Sequence, residues 1–533
     1  MSDAVIFEGL YRRREYPAPQ GPQLFTGPHW DFPQLGKVYD AVEKIALEDL
    51  GLDIYPVQIE VITSEQMLDA YASVGLPLMY RHWSFGKRFA YHETLYRKGL
   101  QGLAYEIIIN SSPCICYIME ENSMTMQTLV LAHAAMGHNH FFKNNYLFRE
   151  WTDAEGILDY LAFARDYVMK CEEKYGADAV ERVLDAAHAL KEHGVDRYTH
   201  RCKPNLAEEK RRAEDRRAYE EATFNDLWRT VPVATVSQDE AEAKKEKDKT
   251  REKLGLPEEN LLYFIEKRAP LLEDWQRELI RIVRNVSQYF YPQKQLQLMN
   301  EGCATFVHYE IMNKLYDRGM ITEGSMLEFL HSHSSVVFQP GFDDPRFSGL
   351  NPYALGFAMM RDIQRICEKP TDEDLEFFPD FAGNGDAYGT LRHAWANYRD
   401  ESFVSQYLSP AVIREFRLFH VADDSSKGAL TVSDIHDEVG YRQVRSALSR
   451  QYDLSRREPD VQVVYVDLHG DRTLVLAHYV HDGVYLQEPT CKAVLRYTAA
   501  LWGYNVKLLE VEAATGTTLK TYEEKPPEKV IQK

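Results

Sequence analysis

The spacing of hydrophobic positions predicts helices over most of the chain. Apolar residues recur three and four apart, the spacing of amphipathic helices, in residues 34–50, 125–193 and 259–316. Residues 53–63 alternate between apolar and polar positions and predict a strand, and residues 105–119 predict two short strands around an Asn-Ser-Ser-Pro turn. We therefore expect an α+β fold that is predominantly helical, with short strands near the N-terminus.

Changes in composition along the chain predict six segments. They are an irregular arm (residues 1–35), an α+β part with His133 and His138 (36–236), a charged linker (237–258), a helical part with Glu301 (259–410), a small C-terminal α+β domain (411–516) and a polar tail (517–533). The linker has almost no apolar residues, so it is either an exposed connection or a solvated surface helix. We expect the second and fourth segments to pack together as one domain that resembles a catalytic domain.

The overall charge argues against nucleic acid as a partner. The chain has 62 basic and 82 acidic side chains and a formal net charge of -20, which repels phosphate backbones. No run of about 18 apolar residues occurs, so we expect no membrane span. The seven cysteines are thinly spread, and the N-terminus lacks the apolar core of a signal peptide. Both features favour a cytoplasmic protein with reduced thiols.

The segment with the richest chemistry contains His133, His138 and His140. At about 100° per residue, His133 and His138 diverge by roughly 140° on a regular α-helix, too far to bind one metal ion. A one-residue π-bulge would bring them together, and so would a helix that ends at Gly137 and lets His138 fold back. His140 lies about 10 Å along the axis from His133 and is the weaker ligand. A metal-binding role and a structural role both fit the pair.

A second segment supplies a carboxylate, Glu301, at the start of an apolar helix. A carboxylate there costs several kcal/mol unless it is paired or bound to a cation, although capping of the helix is the alternative role. Gly302 and Ala304 would let another helix approach closely. The run Asn-Glu-Gly-Cys-Ala is similar to the third-ligand helix of gluzincin aminopeptidases, where a glutamate binds zinc. That similarity implies a zincin-like helical core and a zinc site from His133, His138 and Glu301.

Three histidines further along the chain have different expected roles. His308 follows Glu301 by seven residues on the same helical face, so we predict that it orients the metal ligands or makes a fourth contact to the metal. His331 and His333 are only two apart, so they point in different directions on a helix. We interpret both as exposed to solvent or packed in a loop.

The general base of an HExxH zinc peptidase has no counterpart here, because Ala134 occupies its position. Hydrolysis would need another carboxylate, and the candidates are Glu106, Glu120 and Glu121. We rank Glu106 first, because it lies in a predicted strand and zincins hold their substrate along a strand beside the metal helix. Each of these carboxylates also fits a surface residue or a structural ion pair.

Several long runs make the chain similar to a known family. They include ITSEQMLDAYASVGLP, HWSFGK, GLAYEIIINSSP, AHAAMGHNHFFKNN, SQYFYPQKQLQLMNEG, NPYALGF and VDLHGDR. On these runs the chain resembles the SpoVR-like (stage V sporulation protein R) family, from about residue 30 to residue 510. The resemblance implies metal-site positions at His133, His138, Glu301 and His308.

The resemblance also implies a biological setting. It implies a role in spore formation or, in bacteria without spores, in stress and stationary-phase physiology, with a link to peptidoglycan metabolism. Two partners are implied, a serine protein kinase of the PrkA type and a von Willebrand factor A-like protein. Two functions follow as alternatives: a zinc-dependent hydrolase of the amidase or peptidase kind, and a non-catalytic scaffold that binds these partners.

Overall fold

The computed structural model describes residues 22–72, 79–97, 105–197, 254–342, 344–419, 421–422, 431–432, 438–468, 470–481 and 483–527. The predictions for residues 1–21 and for the charged linker up to residue 253 lie outside the described residues. The α-helices are α1 (Phe32–Lys44), α2 (Ser64–Ala72), α3 (Trp83–Arg97), α4 (Met124–Val130), α5 (Asn139–Asn144), α6 (Tyr146–Trp151), α7 (Ile157–Tyr175), α8 (Ala177–Ala189), α9 (Leu261–Arg268), α10 (Asp274–Lys294), α11 (Gln297–Asp317), α12 (Glu323–Val336), α13 (Pro352–Glu368), α14 (Asp372–Phe377), α15 (Ala387–Asn397), α16 (Asp400–Tyr407), α17 (Pro410–Glu415), α18 (Glu438–Tyr452), α19 (Leu454–Arg457) and α20 (Glu488–Trp502).

Shorter elements complete the secondary structure. Two π-helical segments, Ile45–Asp49 and Leu131–His138, continue α1 and α4, and Lys191–His193 is a 3-10 turn. The strands are β1 (Val57–Ile62), β2 (Glu106–Ile109), β3 (Cys114–Met119), β4 (Val421–Ala422), β5 (Thr431–Val432), β6 (Asp460–Val466), β7 (Leu474–Val480), β8 (Val506–Glu512) and β9 (Thr518–Glu524). The predicted α+β fold with a predominance of helices is confirmed.

The N-terminal strands form a small mixed sheet in the order β1-β3-β2. β3 pairs in parallel with β1 and antiparallel with β2, so that Glu106 lies opposite Ile118. Nearly every residue of β3 is buried, which explains why its sequence is a continuous apolar run rather than an alternation. The three strands predicted in this region are therefore confirmed, and they present β2 to the π-helical segment Leu131–His138.

The chain separates into two compact units by its contacts. Unit 1 comprises Met1–Lys170 and Tyr289–Arg457, and unit 2 comprises Cys171–Gln288 and Glu458–Lys533. The sequence placed a boundary at residue 411, whereas α18 packs on α16 in unit 1. Its buried residues Tyr441, Val444 and Leu448 belong to the hydrophobic core that also contains the Glu301 helix, α11. Long-range packing of this kind leaves no mark in local composition.

Helix α11 is the centre of unit 1 and is buried on almost every side. A Cβ atom on Gly302 would lie 2.7 Å from the Cα atom of Gly356 in α13, and one on Gly137 would lie 2.6 Å from the Cα atom of Ala304. Both contacts are with backbone, so only glycine permits helices at this distance. The predicted close approach at Gly302 and Ala304 is confirmed, and it presses the histidine segment against α11.

Unit 2 contains a four-stranded sheet in the order β6-β7-β8-β9. β6 and β7 are antiparallel, β7 and β8 are parallel and joined through α20, and β9 is antiparallel to β8. Residues 517–533 were predicted to be a polar tail, yet Thr518–Glu524 forms the edge strand β9. Only Tyr522 in it is buried, because an edge strand is held by backbone hydrogen bonds and can keep polar side chains in water. In the helices that the structure describes, we find none with the length and hydrophobicity to cross a membrane.

Candidate metal centre

A π-helical segment carries the two central histidines. His133 and His138 lie in Leu131–His138, where the wider turn brings residues five apart onto one face. Their ring centroids are 4.7 Å apart and the rings are nearly perpendicular. Of the two alternatives that the sequence left open, the π-bulge is the one observed, because the backbone passes Gly137 without leaving the helix.

Glu301 projects from α11 towards both rings. Its Oε2 atom lies 4.0 Å from Nε2 of His133 and 3.6 Å from Nε2 of His138. The ligand atoms of the three residues all lie within 4.8 Å of one another. The three residues that the sequence singled out as metal ligands are therefore brought together from two separate helical segments.

The environment of these side chains fits a cation. Oε2 of Glu301 is buried and has no hydrogen-bond partner among the described residues. An unpaired buried carboxylate oxygen is costly unless a positive charge lies near it. Burial lowers the pKa of His133 well below its usual value, and the His138 ring adds to this effect. His133 is thus neutral at physiological pH, the form in which histidine binds metals.

Asn300 determines which ring nitrogen of His138 has a lone pair that could bind a metal ion. Its Oδ1 atom lies 2.9 Å from Nδ1 of His138. Because the amide oxygen can only accept, Nδ1 of His138 carries the proton and donates it. The lone pair of a neutral His138 then lies on Nε2, the atom that faces Glu301. Asn300 was not proposed as a site residue from sequence, although its place directly before Glu301 is the signal that could have found it.

His308 lies behind His133. Its Nδ1 atom is 2.9 Å from Nδ1 of His133, and its Nε2 atom is 2.9 Å from Nδ1 of His333. Both ring nitrogens therefore contact other histidines, so the geometry favours the orienting role over a fourth contact to the metal. The interpretation of His333 as a solvent or loop residue is wrong, because its side chain is buried in α12. His331 is exposed, as expected.

The three candidate general bases have different positions, and Glu120, like Glu121, is exposed. Glu106 is largely buried, and its Oε1 atom lies 3.9 Å from Nε2 of His133. Burial raises the pKa of Glu106 to about 8, and the negative charge of Glu301 contributes in the same direction. Glu121 is exposed and accepts a hydrogen bond from the Ser64 backbone N–H at 3.3 Å. The structure thus brings Glu106, and not Glu121, beside the histidines.

Aromatic rings pack on the two histidines and limit their movement. The ring of Tyr353, at the start of α13, lies parallel to His133 with centroids 6.4 Å apart, and Phe142 stacks on His138 at 5.9 Å. His140 faces away from the centre, where its Nδ1 atom accepts a hydrogen bond from the Asp53 N–H at 3.0 Å. The ranking of His140 as the weaker ligand candidate agrees with this position.

A buried carboxylate from another helix caps α11. Asp400 accepts hydrogen bonds from the N–H groups of Leu298 and Met299, at 2.8 and 2.9 Å. These are N–H groups of the first helical turn, which have no partner inside the helix. Asp400 therefore holds the end of α11 that carries Glu301. No sequence signal could have found it, because about a hundred residues separate the partners.

Comparison with known proteins identifies the family of the chain. A family model for SpoVR-like protein matches residues 29–457, and a model for the SpoVR-like C-terminal domain matches residues 459–513. The chain belongs to the SpoVR-like family. It is 55% identical over 505 residues, covering 95% of this chain and 97% of the relative, to Uncharacterized protein YcgB of Escherichia coli (strain K12). No solved structure matches. The junction between the two SpoVR models coincides with the end of unit 1 at Arg457.

Proposed function

We propose that this SpoVR-family protein is a metal-dependent hydrolase of amide bonds. The observation that carries the proposal is the convergence of His133, His138 and Glu301 around a buried carboxylate oxygen without a hydrogen bond among the described residues. Two histidines and a glutamate are a ligand set of catalytic zinc sites, whereas structural zinc sites usually have four protein ligands. Zinc is the metal we propose, and the donors also suit Mn, Fe or Co.

Glu106 is the residue that we assign to proton transfer. A zinc ion at such a site polarises a carbonyl group and lowers the pKa of water. Hydrolysis of an amide also needs a protein group that takes a proton from water and returns it to the leaving amine. The Glu106 carboxyl fits this role by position, with Oε1 3.9 Å from Nε2 of His133. Burial and the charge of Glu301 raise its pKa, and a cation bound beside it would lower that pKa and favour the carboxylate that accepts the proton. Glu106 replaces the glutamate that is absent at Ala134.

The amide class of substrate rests on similarity to a group of peptidases. The run that begins Asn300-Glu301-Gly302 resembles the third-ligand helix of gluzincins, and a zincin-like core is part of the proposal for the same reason. The link of the family to peptidoglycan metabolism makes peptides and cell-wall-derived amides the first substrates to test. A cytoplasmic location stays a prediction from the cysteines and the N-terminal sequence. A role in sporulation or stress, the PrkA-type kinase and the von Willebrand factor A-like partner stay predictions from the resemblance.

Metal content tests the proposal directly. Purified protein would be analysed by inductively coupled plasma mass spectrometry before and after incubation with zinc and removal of the excess. We expect about one metal ion per chain, the stoichiometry of a single three-ligand site. His133→Ala, His138→Ala and Glu301→Ala should each lose the metal while circular dichroism shows an unchanged helix content.

Matched controls separate the site from general surface effects. His331→Ala and Glu121→Ala remove an exposed imidazole and an exposed carboxylate, and both variants should retain the metal. Wild-type protein that holds no metal even after incubation with zinc would contradict the hydrolase proposal. The scaffold alternative would then be the better account, with the histidines as a structural cluster.

A further inference from the structure

Three histidine rings form a continuous hydrogen-bonded row that begins at the candidate metal centre. His133 lies in the π-helical segment, His308 in α11 and His333 in α12, so three separate elements contribute one ring each. The row consists of two contacts of 2.9 Å, from Nδ1 of His133 to Nδ1 of His308 and from Nε2 of His308 to Nδ1 of His333. His333, at the outer end of the row, follows His308, its middle member, by 25 residues in the sequence.

Only one proton can lie in each of these contacts, so the tautomers of the three rings depend on one another. A neutral imidazole has one N–H donor and one lone pair. If Nδ1 of His133 donates, then His308 accepts at Nδ1 and carries its own proton on Nε2. His308 in turn donates to Nδ1 of His333, which must accept. In the reverse order, Nδ1 of His333 donates to Nε2 of His308, and Nδ1 of His308 donates to Nδ1 of His133. This is the only other arrangement of neutral rings in which both contacts are hydrogen bonds.

The two orders differ at the candidate metal centre. In the first order, the lone pair of His133 lies on Nε2, the atom that faces Glu301 and Glu106 at 4.0 and 3.9 Å. In the reverse order, Nε2 carries a proton and His133 has no lone pair for a cation at that position. Metal binding at Nε2 of His133 therefore favours the first order, in which His308 donates to Nδ1 of His333. The Ala304 backbone also accepts a hydrogen bond from His133, and it favours the same tautomer.

The surroundings of His333 hold its ring in place and neutral. Its centroid lies 4.8 Å from that of Phe357 in α13 and 5.1 Å from that of Tyr309 in α11, with Phe329 of its own helix at 5.6 Å. Burial lowers the pKa of His333 to about 4, and the positive charge of Arg361 contributes in the same direction. A neutral His333 keeps the lone pair that the row needs.

We propose that His333 is a positioning residue of the metal centre, which selects the metal-binding tautomer of His133 by accepting a hydrogen bond from His308. This inference rests on the proposed metal site formed by His133, His138 and Glu301. His333 touches no ligand atom of that site, and it acts through one intervening ring. Residues that orient a metal-bound histidine from behind typically change metal affinity by about 10- to 100-fold when they are replaced.

The test measures Co2+ and Zn2+ affinity by competition with a chelating dye. His333→Phe keeps an aromatic ring against Phe357 but removes the acceptor, and we expect affinity to fall about 10- to 100-fold. His333→Asn places an amide oxygen near the position of Nδ1 and should restore affinity to within about threefold of wild type. His331→Phe, an exposed histidine on the same helix, is the matched control and should bind as wild type does.

Each outcome separates the inference from the proposed function. Wild type without affinity for either metal would overturn the metal site and the inference together. Wild-type binding with unchanged affinity in His333→Phe would overturn the inference alone. Equal losses in His333→Phe and His333→Asn would show that His333 acts by packing, which also overturns it. Melting temperatures of the metal-free variants report folding, and His333→Leu replaces His333→Phe if the larger ring prevents folding.

Discussion

Oδ1 of Asn300 lies 2.9 Å from Nδ1 of His138, and Asn300 is the residue directly before Glu301. One turn of α11 therefore supplies a candidate ligand and orients another that lies in a different segment. The contact couples the register of α11 to the tautomer of His138. A shift of α11 by one residue would lose both effects at once.

Replacement of Asn300 should weaken metal binding without removing a ligand. In Asn300→Ala, Nδ1 of His138 loses its acceptor, and affinity for Zn2+ should fall by about 10- to 100-fold. Asn300→Asp keeps an acceptor oxygen and should bind more tightly than Asn300→Ala. Asn313→Ala on the same helix is the control, because it removes an amide whose one hydrogen bond among the described residues is to the Tyr309 carbonyl. Equal affinities of wild type and Asn300→Ala in dye competition would contradict this role.

Replacement of Glu106 should separate metal binding from hydrolysis. Glu106→Gln keeps the shape of the side chain but cannot accept the proton, so the rate of amide hydrolysis should fall by about 100- to 10,000-fold. The metal content should stay the same, because Glu106 is outside the three-ligand set. Glu121→Gln, at an exposed carboxylate, should hydrolyse substrate at the wild-type rate. Unchanged activity in Glu106→Gln would assign proton transfer to another group.

The contact between α11 and α13 should tolerate no side chain. Gly302→Ala places a methyl group against the backbone of Gly356, and we expect the free energy of unfolding to fall by about 1–3 kcal/mol. Gly36→Ala is the matched control, because Gly36 is exposed within α1 and has nothing within 4 Å of the added Cβ. That change should stabilise by about 0.5–1 kcal/mol, since alanine favours the helix. Thermal unfolding should show a lower melting temperature for Gly302→Ala and a higher one for Gly36→Ala. Shifts in the same direction would contradict the prediction.

Asp400 should make stability depend on pH. Burial raises the pKa of Asp400 from its ordinary value of 3.8 to about 7, although hydrogen bonds from Leu298 and Met299 oppose this rise. Between these two pH values the folded state binds more protons at Asp400 than the unfolded state. The contribution of Asp400 to stability is therefore greatest below pH 3.8 and falls as the pH rises to 7, by at most about 1.4 kcal/mol per pH unit.

Comparison with a neutral variant isolates this contribution. Asp400→Asn cannot ionise, so its stability should fall less steeply than that of wild type between about pH 4 and pH 7. Asp372→Asn removes an exposed carboxylate and should follow the wild-type slope. Chemical unfolding at several pH values measures the difference. Parallel curves for wild type and Asp400→Asn would show that Asp400 titrates alike in both states.

Some features of the site follow from local sequence. A histidine pair on an apolar helix and a glutamate followed by small residues already indicate metal chemistry, because polar groups in apolar helices need a partner. Glu106 was ranked first from its place in a predicted strand, and the structure sets that strand against the histidine segment. Glu121 is a glutamate like Glu106, but it follows the end of β3 and is exposed.

Other features depend on contacts between distant segments. The π-helical backbone at Gly137 packs directly on Ala304, a residue far along the chain that local sequence cannot place beside it. His333 is buried, whereas His331, two residues before it, is exposed. The local sequence does not distinguish these two histidines. The cap that Asp400 places on α11 and the pairing of β9 with β8 are likewise contacts between segments far apart in the chain.

The sequence by itself determined the family, the predominance of helices and the three residues that could hold a metal. These follow from residue type and short-range periodicity, which local physical chemistry controls. Only the tertiary structure decided that a π-helical turn joins His133 to His138, that His308 and His333 stand behind them, and which carboxylate lies beside them. Those relationships need the close packing of α11 against its neighbours, since burial and hydrogen-bond partners exist only after distant segments meet.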